Sequence, residues 1–281
     1  MKERKIILIT GASSGIGYDA ATRLAQQGHQ VYAAARRIER MEPLKEFGVV
    51  PLKMDVTDES SMLSAVQNIL DTEGRIDVLL NNAGYGYLGA IENVPLEEAR
   101  RQLEVNLFGL ARLTQLVLPH MREQHAGRII NVSSIAGKAV LLFGGWYNVS
   151  KYAVEAFSDA LRIETKPFGI KVSLIEPSGI KTDWGLIAAD NLEKSSHDTA
   201  YEEPGLNMAE AMRWAYTSNL LSLPKSIGKA ITKAATARRP KTRYRAGAGA
   251  GTFVALHALM PTRWWDQLVS KLGKVNLKRK Q

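Results

Sequence analysis

The stretch IILITGASSGIG, residues 6–17, joins an apolar run to a loop with three glycines. The run from Ile6 to Ile9 predicts a short strand that is buried on both faces, as strands of parallel sheets are. A helical pattern follows Gly17 and ends at Gly28. Glycines let a backbone approach a ligand closely, and a helix N-terminus offers free N–H groups to an anion. The stretch therefore indicates a pyrophosphate-binding loop, although glycine turns also join strands to helices without a ligand.

Further apolar runs alternate with helical patterns along the chain. These runs lie at residues 31–35, 49–54, 76–80, 129–132 and 172–175, and residues 242–245 are predicted as a further short strand. Such alternation predicts an α/β fold, a Rossmann-type doubly wound parallel sheet with helices on both faces. We expect about seven strands in the order 3-2-1-4-5-6-7. One catalytic domain over residues 1–250 is predicted, followed by a C-terminal helical extension and basic tail over residues 251–281.

Residues 183–224 interrupt this alternation. The segment is polar at first and then carries aromatic and methionine side chains at Tyr201, Met208, Met212, Trp214 and Tyr216. We predict an irregular insertion, and such insertions in compact domains are usually lids or flexible loops. The methionine and aromatic content favours a lid over an apolar substrate pocket. Ordinary core or subunit contacts are an equal alternative.

The composition excludes several chemistries. The chain has no cysteine, which rules out disulfides, cysteine nucleophiles and thiolate zinc sites. Its five histidines form no HExxH or HxH pattern, so we expect no metal site. The net charge of +9 favours an anionic partner, such as a phosphorylated cofactor, nucleic acid or an anionic membrane, or else serves solubility. No apolar run has the length of a signal-peptide core or a membrane span, so we expect a cytoplasmic protein.

Arg36 indicates the type of nucleotide. In dinucleotide-binding folds an acidic residue ~20 residues after the glycines binds the ribose 2′-OH. Here Ala35 and Arg36 occupy that region, and an arginine binds a 2′-phosphate through charge-assisted hydrogen bonds. Such a contact, at ~1.5–3 kcal/mol, changes the preference by roughly 10- to 100-fold. NADP is therefore favoured over NAD, unless Arg36 is only a solvated residue at a strand end.

Polar residues also follow two later strands. Asp55-Val56 comes after the third strand, and Asn82-Ala83-Gly84 after the fourth. Ligands of open α/β sheets bind at the carboxyl ends of strands, although these residues also suit simple turns. Asn106 lies among apolar residues in a long helical pattern between Pro95 and His120, where it needs a partner or a role.

A proton-transfer site is predicted in RIINVSSIAGKAVLLFGGWYNVSKYAVEAF, residues 128–157. A strand there ends at a serine pair, and Tyr147 and Lys151 share one face of the helix that follows. Moving a tyrosine pKa by ~3 units to neutrality requires ~4 kcal/mol. One ammonium at ~4 Å supplies about that much at an effective dielectric constant of ~20. We therefore expect Lys151 to lower the pKa of Tyr147, with a hydroxyl of Ser134 beside them.

As a set, these motifs resemble those of the short-chain dehydrogenase/reductase family, over about residues 5–182. The matching positions are Thr10–Gly17, Asp55, Asn82-Ala83-Gly84, Asn106, Ser134, Tyr147 and Lys151. The resemblance implies that Tyr147 is the catalytic acid or base and that Ser134 binds the substrate oxygen. It also implies that Lys151 contacts the nicotinamide ribose and that Asn106 holds a water in a proton relay. The implied cofactor-binding residues are Gly11, Ser13, Ser14, Gly15, Ile16, Gly17, Arg36, Asp55, Val56, Asn82, Ala83, Gly84, Tyr147, Lys151, Pro177, Gly179, Ile180 and Thr182.

The resemblance further implies NADPH-dependent hydride transfer between a ketone or aldehyde and an alcohol, without a metal. Arg36 and the segment EPSGIKT, residues 176–182, look closer to carbonyl reductases and to retinol and hydroxysteroid dehydrogenases. A lipophilic substrate is therefore expected, steroid-, retinoid- or lipid-like. Many members have Pro-Gly after the sixth strand, whereas Pro177-Ser178-Gly179 displaces the glycine by one. A homodimer or homotetramer built on two long helices is also implied.

Other functions have weaker support. Residues 11–15 satisfy the GxSxG pattern of serine hydrolases, but His197 and His257 lie in no recognisable triad context. A dinucleotide-binding regulator without turnover conflicts with the full set of proton-transfer residues. Nucleic-acid binding is not expected, because the basic residues are scattered apart from the tail. The C-terminal helix and basic tail either contact an anionic membrane weakly or dock on the domain or a neighbouring subunit.

Overall fold

Seven parallel strands form one sheet in the computed structural model, which describes residues 3–272. The strands are β1 (Ile6–Thr10), β2 (Gln30–Ala35), β3 (Val50–Lys53), β4 (Val78–Asn81), β5 (Gly127–Val132), β6 (Ile170–Pro177) and β7 (Arg243–Ala246). Their order is β3-β2-β1-β4-β5-β6-β7, which confirms the predicted Rossmann-type topology. The winding direction reverses between β1 and β4. Ligands of such sheets bind in the crevice at this reversal, at the carboxyl ends of the strands.

Helices surround the sheet. In the described residues they are α1 (Gly15–Gln26), α2 (Glu59–Glu73), α3 (Leu96–Leu103), α4 (Gly109–Glu123), α5 (Gly145–Thr165), α6 (Asp183–Ser196), α7 (Glu202–Thr217), α8 (Pro224–Thr236), α9 (Ala250–Leu259) and α10 (Thr262–Leu272). A π-helical turn, Glu104–Phe108, separates α3 from α4. A ten-residue 3₁₀ segment lies at Ile38–Phe47, and short 3₁₀ turns lie at Ile135–Gly137 and Lys166–Phe168.

Side-chain alternation along β1 explains how both faces of the sheet are covered. Ile7 and Ile9 pack on one face with residues of α1 and α8. Ile6 and Leu8 pack on the other face with residues of α2, α4 and α5. All four side chains are buried. The continuous apolar run in the sequence is therefore the signature of a strand with helices on both sides.

Ion pairs attach α5 to the edge of the sheet. Arg243 of β7 pairs with Glu155 at 3.1 Å and Asp159 at 2.6 Å, both on α5, and with Glu176 of β6 at 3.0 Å. Lys138 also pairs with Glu155, at 2.7 Å. Glu155 and Glu176 are buried, and buried carboxylates require such partners. The network fixes the helix that carries the predicted proton-transfer residues.

Residues 183–224 are largely helical, so the predicted irregular insertion was wrong. Helices α6 and α7 pack against each other and against the 88–90 and 142–143 segments through an apolar cluster. Ala188, Leu192 and Ala209 are fully buried in this cluster. The polar run of the sequence lies mostly within α6, where Asp190, Glu193 and other polar side chains are exposed or half-buried. An amphipathic helix with small apolar residues on its buried face explains the misleading composition.

The C-terminal extension is helical through α9 and α10, as expected. The predicted basic tail, residues 273–281, lies outside the described residues. Among the helices that the structure describes, none combines the length and the hydropathy that a membrane crossing requires.

Candidate active site

A cavity of about 780 Å³ lies at the carboxyl ends of the central strands. Its walls come from the loops that follow strands β1 to β6, and from helices α5, α6 and α7. One residue of α10 also reaches it. The cavity therefore extends from the glycine loop, past the start of α5, to the helical segment that follows β6.

Backbone conformation and close packing both require glycine in the glycine loop. Gly11 and Gly15 have positive φ angles of +64° and +58°. A Cβ at Gly11 would lie 2.7 Å from the Cα of Ala83, so the turn after β4 leaves no room for a side chain. The Ser14 side chain makes no capping hydrogen bond, so the first-turn N–H groups of α1 lack this acceptor. Free amides at a helix N-terminus suit a pyrophosphate.

Asn82 stabilises the glycine loop through hydrogen bonds to its backbone. Its Nδ2 donates to the carbonyl oxygens of Thr10 at 2.9 Å and Gly11 at 3.1 Å. The Thr10 hydroxyl accepts from the backbone amides of Asn82 and Ala83, at 3.0 Å and 2.9 Å. These bonds tie the end of β1 to the end of β4 and hold the loop in one conformation.

Ser134 and Tyr147 form the predicted hydroxyl pair in the wall of the cavity. The two side chains are hydrogen-bonded. Ser134 Oγ also accepts from the Ala136 amide at 3.1 Å, which fixes the serine at the start of a 3₁₀ turn. The neighbouring Ser133 hydroxyl is buried near Gly137, whose Cβ, if present, would lie 2.8 Å from it. Of the two serines, Ser134 is therefore the one whose hydroxyl meets the Tyr147 phenol.

Burial raises the pKa of the Tyr147 phenol. The hydrogen bond with Ser134 acts in the opposite direction, and the phenol of Tyr216 raises the pKa further. The sequence predicts a pKa lowered by Lys151, so the direction of this prediction was wrong for the chain itself. The Lys151 ammonium lies 5.8 Å from the centre of the Tyr147 ring and donates to the Val132 carbonyl at 3.0 Å. Desolvation of the phenolate exceeds the attraction that the lysine supplies at this position.

Lys151 is itself buried, and burial lowers its pKa to about 8, while Glu155 acts in the opposite direction. A buried ammonium is costly, so the lysine titrates close to the physiological range. Its Nζ lies near Gly84, where an added Cβ would be 3.9 Å from it. The turn after β4 and the start of α5 therefore meet at this lysine.

Asn106 lies behind the same turn, in the π-helical segment between α3 and α4. Its Oδ1 accepts from the Tyr85 amide at 2.7 Å, and its Nδ2 donates to the Tyr85 carbonyl and the Ser150 hydroxyl, each at 2.9 Å. The side chain is buried. These three bonds explain how an asparagine is tolerated among apolar residues, and π-turns are frequent at functional sites.

The two ends of the cavity differ in character. One end is lined by exposed Arg36 and Arg37, together with Asp55, whose carboxylate accepts from the Thr57 amide at 3.0 Å. The other end is apolar, and its lining includes Leu141, Leu142, Trp184, Met208, Ala211, Met212, Trp214, Ala215, Tyr216 and Val269.

Trp184 and Tyr216 shape the apolar end. The Trp184 ring packs against Tyr147, with centroids 4.9 Å apart. Tyr216 packs on Gly185, where an added Cβ would lie 1.9 Å from a ring carbon. Burial raises the pKa of Tyr216 to about 12, so this phenol stays neutral under ordinary conditions.

Most of the predicted site residues line this single cavity. Two of them do not. Gly17 lets α1 pack closely on the loop, since a Cβ there would lie 2.6 Å from the Gly11 carbonyl oxygen. Asn106 does not line the cavity and instead accepts a hydrogen bond from the Tyr85 amide. The apolar segments at Leu141-Leu142 and Val269 were not predicted as site residues. No local sequence signal marks them, because their place at the cavity depends on how distant helices pack.

The serine-hydrolase alternative finds no support in the geometry. Residues 11–15 form the strand–turn–helix that GxSxG requires. However, no histidine lines the cavity in the described part of the chain. Within residues 3–272 there is also no group of three or more potential metal-ligating side chains in suitable proximity.

Comparisons with known proteins identify the family of the chain. Residues 5–190 match the profile of the short chain dehydrogenase family. The chain is 37% identical, over 93% of its length and 95% of the relative's, to a probable short-chain type dehydrogenase/reductase, VdlC, of Helicobacter pylori. It is therefore a member of the short-chain dehydrogenase/reductase family, a class of oxidoreductases.

One further relative and one solved structure are also similar to this chain. A 3-ketodihydrosphingosine reductase of Bacteroides thetaiotaomicron is 38% identical, with 86% of this chain and 88% of that protein covered. A solved short-chain dehydrogenase of Streptomyces avermitilis superposes with a TM-score of 0.79 at 29% identity, covering 97% of this chain and 96% of that one. Structures with this fold have been solved in complex with NADP and with NAD.

Proposed function

We propose that the chain is an NADP(H)-dependent oxidoreductase that interconverts a ketone or aldehyde and an alcohol, with a lipophilic substrate. One observation carries the proposal. The hydrogen-bonded pair of Ser134 and Tyr147 lines the same cavity as the glycine loop at one end and an apolar helical segment at the other. A proton donor, a nucleotide-binding loop and an apolar pocket within one cavity are what carbonyl reduction requires.

The nucleotide would be held by the glycine loop, by the turns after β3, β4 and β6, and by Lys151. The positive φ angles of Gly11 and Gly15 and the uncapped N-terminus of α1 fit a pyrophosphate. Bound NADPH supplies the hydride that the carbonyl carbon accepts.

The proton comes from the protein. Because burial raises the pKa of Tyr147, its phenol is protonated at neutral pH and can protonate the oxygen of a substrate carbonyl. Ser134 is hydrogen-bonded to this phenol and stabilises negative charge that develops on the substrate oxygen. Lys151, when charged, opposes the cost of the phenolate that remains. In the reverse direction, the same groups accept the proton of an alcohol.

Arg36 and Arg37 support the preference for NADP. Both side chains are exposed and line the cavity beyond the end of β2. A guanidinium there is available to bind a 2′-phosphate through charge-assisted hydrogen bonds. The carboxylate that commonly recognises the 2′-hydroxyl of NAD is replaced by Ala35 and Arg36.

The apolar end of the cavity supports a lipophilic substrate. Its methionines and tryptophans offer contact area with few hydrogen-bonding groups. One similar protein is named a 3-ketodihydrosphingosine reductase, which agrees with an acyl-chain ketone as the substrate class. We therefore expect a ketone or secondary alcohol on a long hydrocarbon chain.

A chain-length series tests this proposal. Methyl ketones of increasing length would be reduced with NADPH, and oxidation of the cofactor followed by absorbance. We expect kcat/KM to rise by about threefold to fourfold per added methylene, because each buried CH₂ contributes about 0.8 kcal/mol, until the pocket is filled. Tyr147→Phe is the matched control, and a flat series or an unaffected variant would contradict the proposal.

The chain is also proposed to form a homodimer or homotetramer through α4 and α5. Val149 and Tyr152 of α5, and Phe108 just before α4, are exposed apolar or aromatic side chains. Such residues on long neighbouring helices are suited to an isologous interface. Light scattering of the purified protein would measure the subunit number, and a monomer at micromolar concentration would contradict it.

A further inference from the structure

Helix α9 has the composition of a buried helix but lies at the surface. It contains no Lys, Arg, Asp or Glu, and its sequence is AGTFVALHAL. Yet Leu256 is 47% exposed and Leu259 86% exposed. A helix that is apolar on nearly all sides is normally covered by protein or by lipid. Trp264, at the start of α10, is 65% exposed and extends this apolar surface.

The charge of this region is strongly positive. Residues 250–281 contain six lysines and arginines and one aspartate in the sequence. Within the described part, Arg263 and Lys271 are exposed on α10. Apolar and tryptophan side chains next to lysines and arginines are the composition of a surface that lies on an anionic bilayer. A second copy of the chain would bring the same positive charge to this surface, so like-charge repulsion opposes self-association there.

The same helices reach the active-site cavity. Trp265 is buried, and its Nε1 donates to the Val140 carbonyl at 3.1 Å, next to the apolar lining of the cavity. One turn further along α10, Val269 lines the cavity itself. Trp214 of α7 lines the cavity too, although it is largely exposed, so the apolar end opens to the surface there.

We propose that α9 and α10 dock on an anionic lipid bilayer through Leu256, Leu259 and Trp264. Docking brings the apolar end of the cavity close to the lipid, from which a lipophilic substrate enters. The entry step rests on the proposed function, whereas the docking itself does not. The surface is distinct from the faces of α4 and α5 that we assign to subunit contacts.

Vesicle co-flotation of the full chain tests the docking. Vesicles of phosphatidylcholine with about a third phosphatidylglycerol would be compared with pure phosphatidylcholine, and anionic vesicles would also be tested in about 1 M salt, where charges are screened beyond ~3 Å. We expect binding to the anionic vesicles only, and its loss at high salt.

A matched pair of variants locates the surface. Leu259→Asp should lower the partition coefficient for anionic vesicles at least about tenfold, because a buried leucine contributes that much to transfer from water. Leu63→Asp is the control, since Leu63 is 46% exposed on α2, outside both the cavity lining and the α4 and α5 faces assigned to subunit contacts. It should bind vesicles like the unchanged protein. Circular dichroism melting confirms that both variants are folded.

Three results would overturn the proposal. These are equal binding of the two variants, binding independent of anionic lipid, and a change of subunit number in Leu259→Asp without a change in vesicle binding. The last result would assign the patch to a second copy of the chain. Reduction of a short, water-soluble ketone in the absence of vesicles is measured in parallel. Failure of that reaction contradicts the proposed function and leaves the docking result intact.

Discussion

The two ends of the cavity are built by different means. At the nucleotide end, the walls are strand ends, glycines and backbone amides, tied together by short hydrogen bonds such as those of Asn82 to Thr10 and Gly11. At the substrate end, the walls include side chains of α6, α7 and α10. Apolar packing around Leu192 holds α6 and α7, and the Trp265 hydrogen bond to Val140 holds α10. The first end is shaped by covalent geometry and hydrogen bonding, the second by the volumes of individual side chains.

This difference explains how a family keeps one reaction and varies its substrates. A change of one methionine or tryptophan alters the apolar end, whereas the glycine loop is held by backbone groups and Asn82, which such a change leaves in place. Tyr147 stands at the boundary, hydrogen-bonded to Ser134 and in tilted contact with the Trp184 ring of α6. Variants on either side of that boundary should therefore affect different kinetic constants.

The largest effect on turnover is expected at Tyr147, the residue between the two ends of the cavity. Tyr147→Phe removes the proton donor and should lower kcat by about 10³-fold, within the range for loss of a general acid. NADPH affinity should stay within about twofold, because the phenylalanine ring keeps the packing on Trp184. Stopped-flow turnover and fluorescence titration measure the two quantities. Equal loss of both would make Tyr147 a structural residue.

The nucleotide end is probed by Arg36. Arg36→Ala should reduce the ratio of kcat/KM for NADPH over NADH by about 10- to 100-fold, since a charge-assisted hydrogen bond is lost. Arg40→Ala is the matched control, because Arg40 is exposed nearby and does not line the cavity. Its ratio should equal that of the unchanged protein, and an unchanged ratio in Arg36→Ala would refute the phosphate assignment.

The rate of carbonyl reduction should depend on pH through Lys151. With its pKa lowered to about 8, the lysine is charged below that pH and neutral above it. Carbonyl reduction should therefore be constant at lower pH and fall by up to about tenfold per pH unit above pH ~8, as the charge that opposes phenolate formation is lost. Tyr147 remains protonated throughout this range, since burial raises its pKa. Lys151→Met should give a low rate with no such fall, and a fall of the same shape in this variant would assign the titration to another group.

The smallest effect belongs to the substrate end. Trp184→Ala should raise KM for a long-chain ketone by about threefold to tenfold through lost apolar contact, with little change in NADPH affinity. A short ketone should be affected less. Leu63→Ala, an exposed position on α2, serves as the control. An equal increase of KM for short and long ketones would place Trp184 outside the acyl-chain pocket.

Features set by local sequence could be predicted, whereas features set by the packing of distant segments could not. Most strands, the glycine loop and the shared helix face of Tyr147 and Lys151 follow from local signals, because apolar runs, glycines and fixed spacings act over a few residues. The strand order and the choice of Ser134 rest instead on the resemblance to a known family and its fold, since no local signal encodes them. The irregular insertion and the lowered Tyr147 pKa were wrong, because both depend on packing. Helix α6 is stabilised by its buried face, and the pKa of Tyr147 is governed by the depth of its burial. Val269 reaches the cavity only through the fold of the C-terminal helices.

Isotope transfer tests whether one cavity joins the nicotinamide to the proton donor. A long-chain ketone would be incubated with the protein and NADPH deuterated at the transferring position, and the alcohol analysed by mass spectrometry. Deuterium is expected on the carbinol carbon, and Tyr147→Phe should form the labelled alcohol far more slowly. Alcohol without deuterium, or the same rate in Tyr147→Phe, would contradict this expectation.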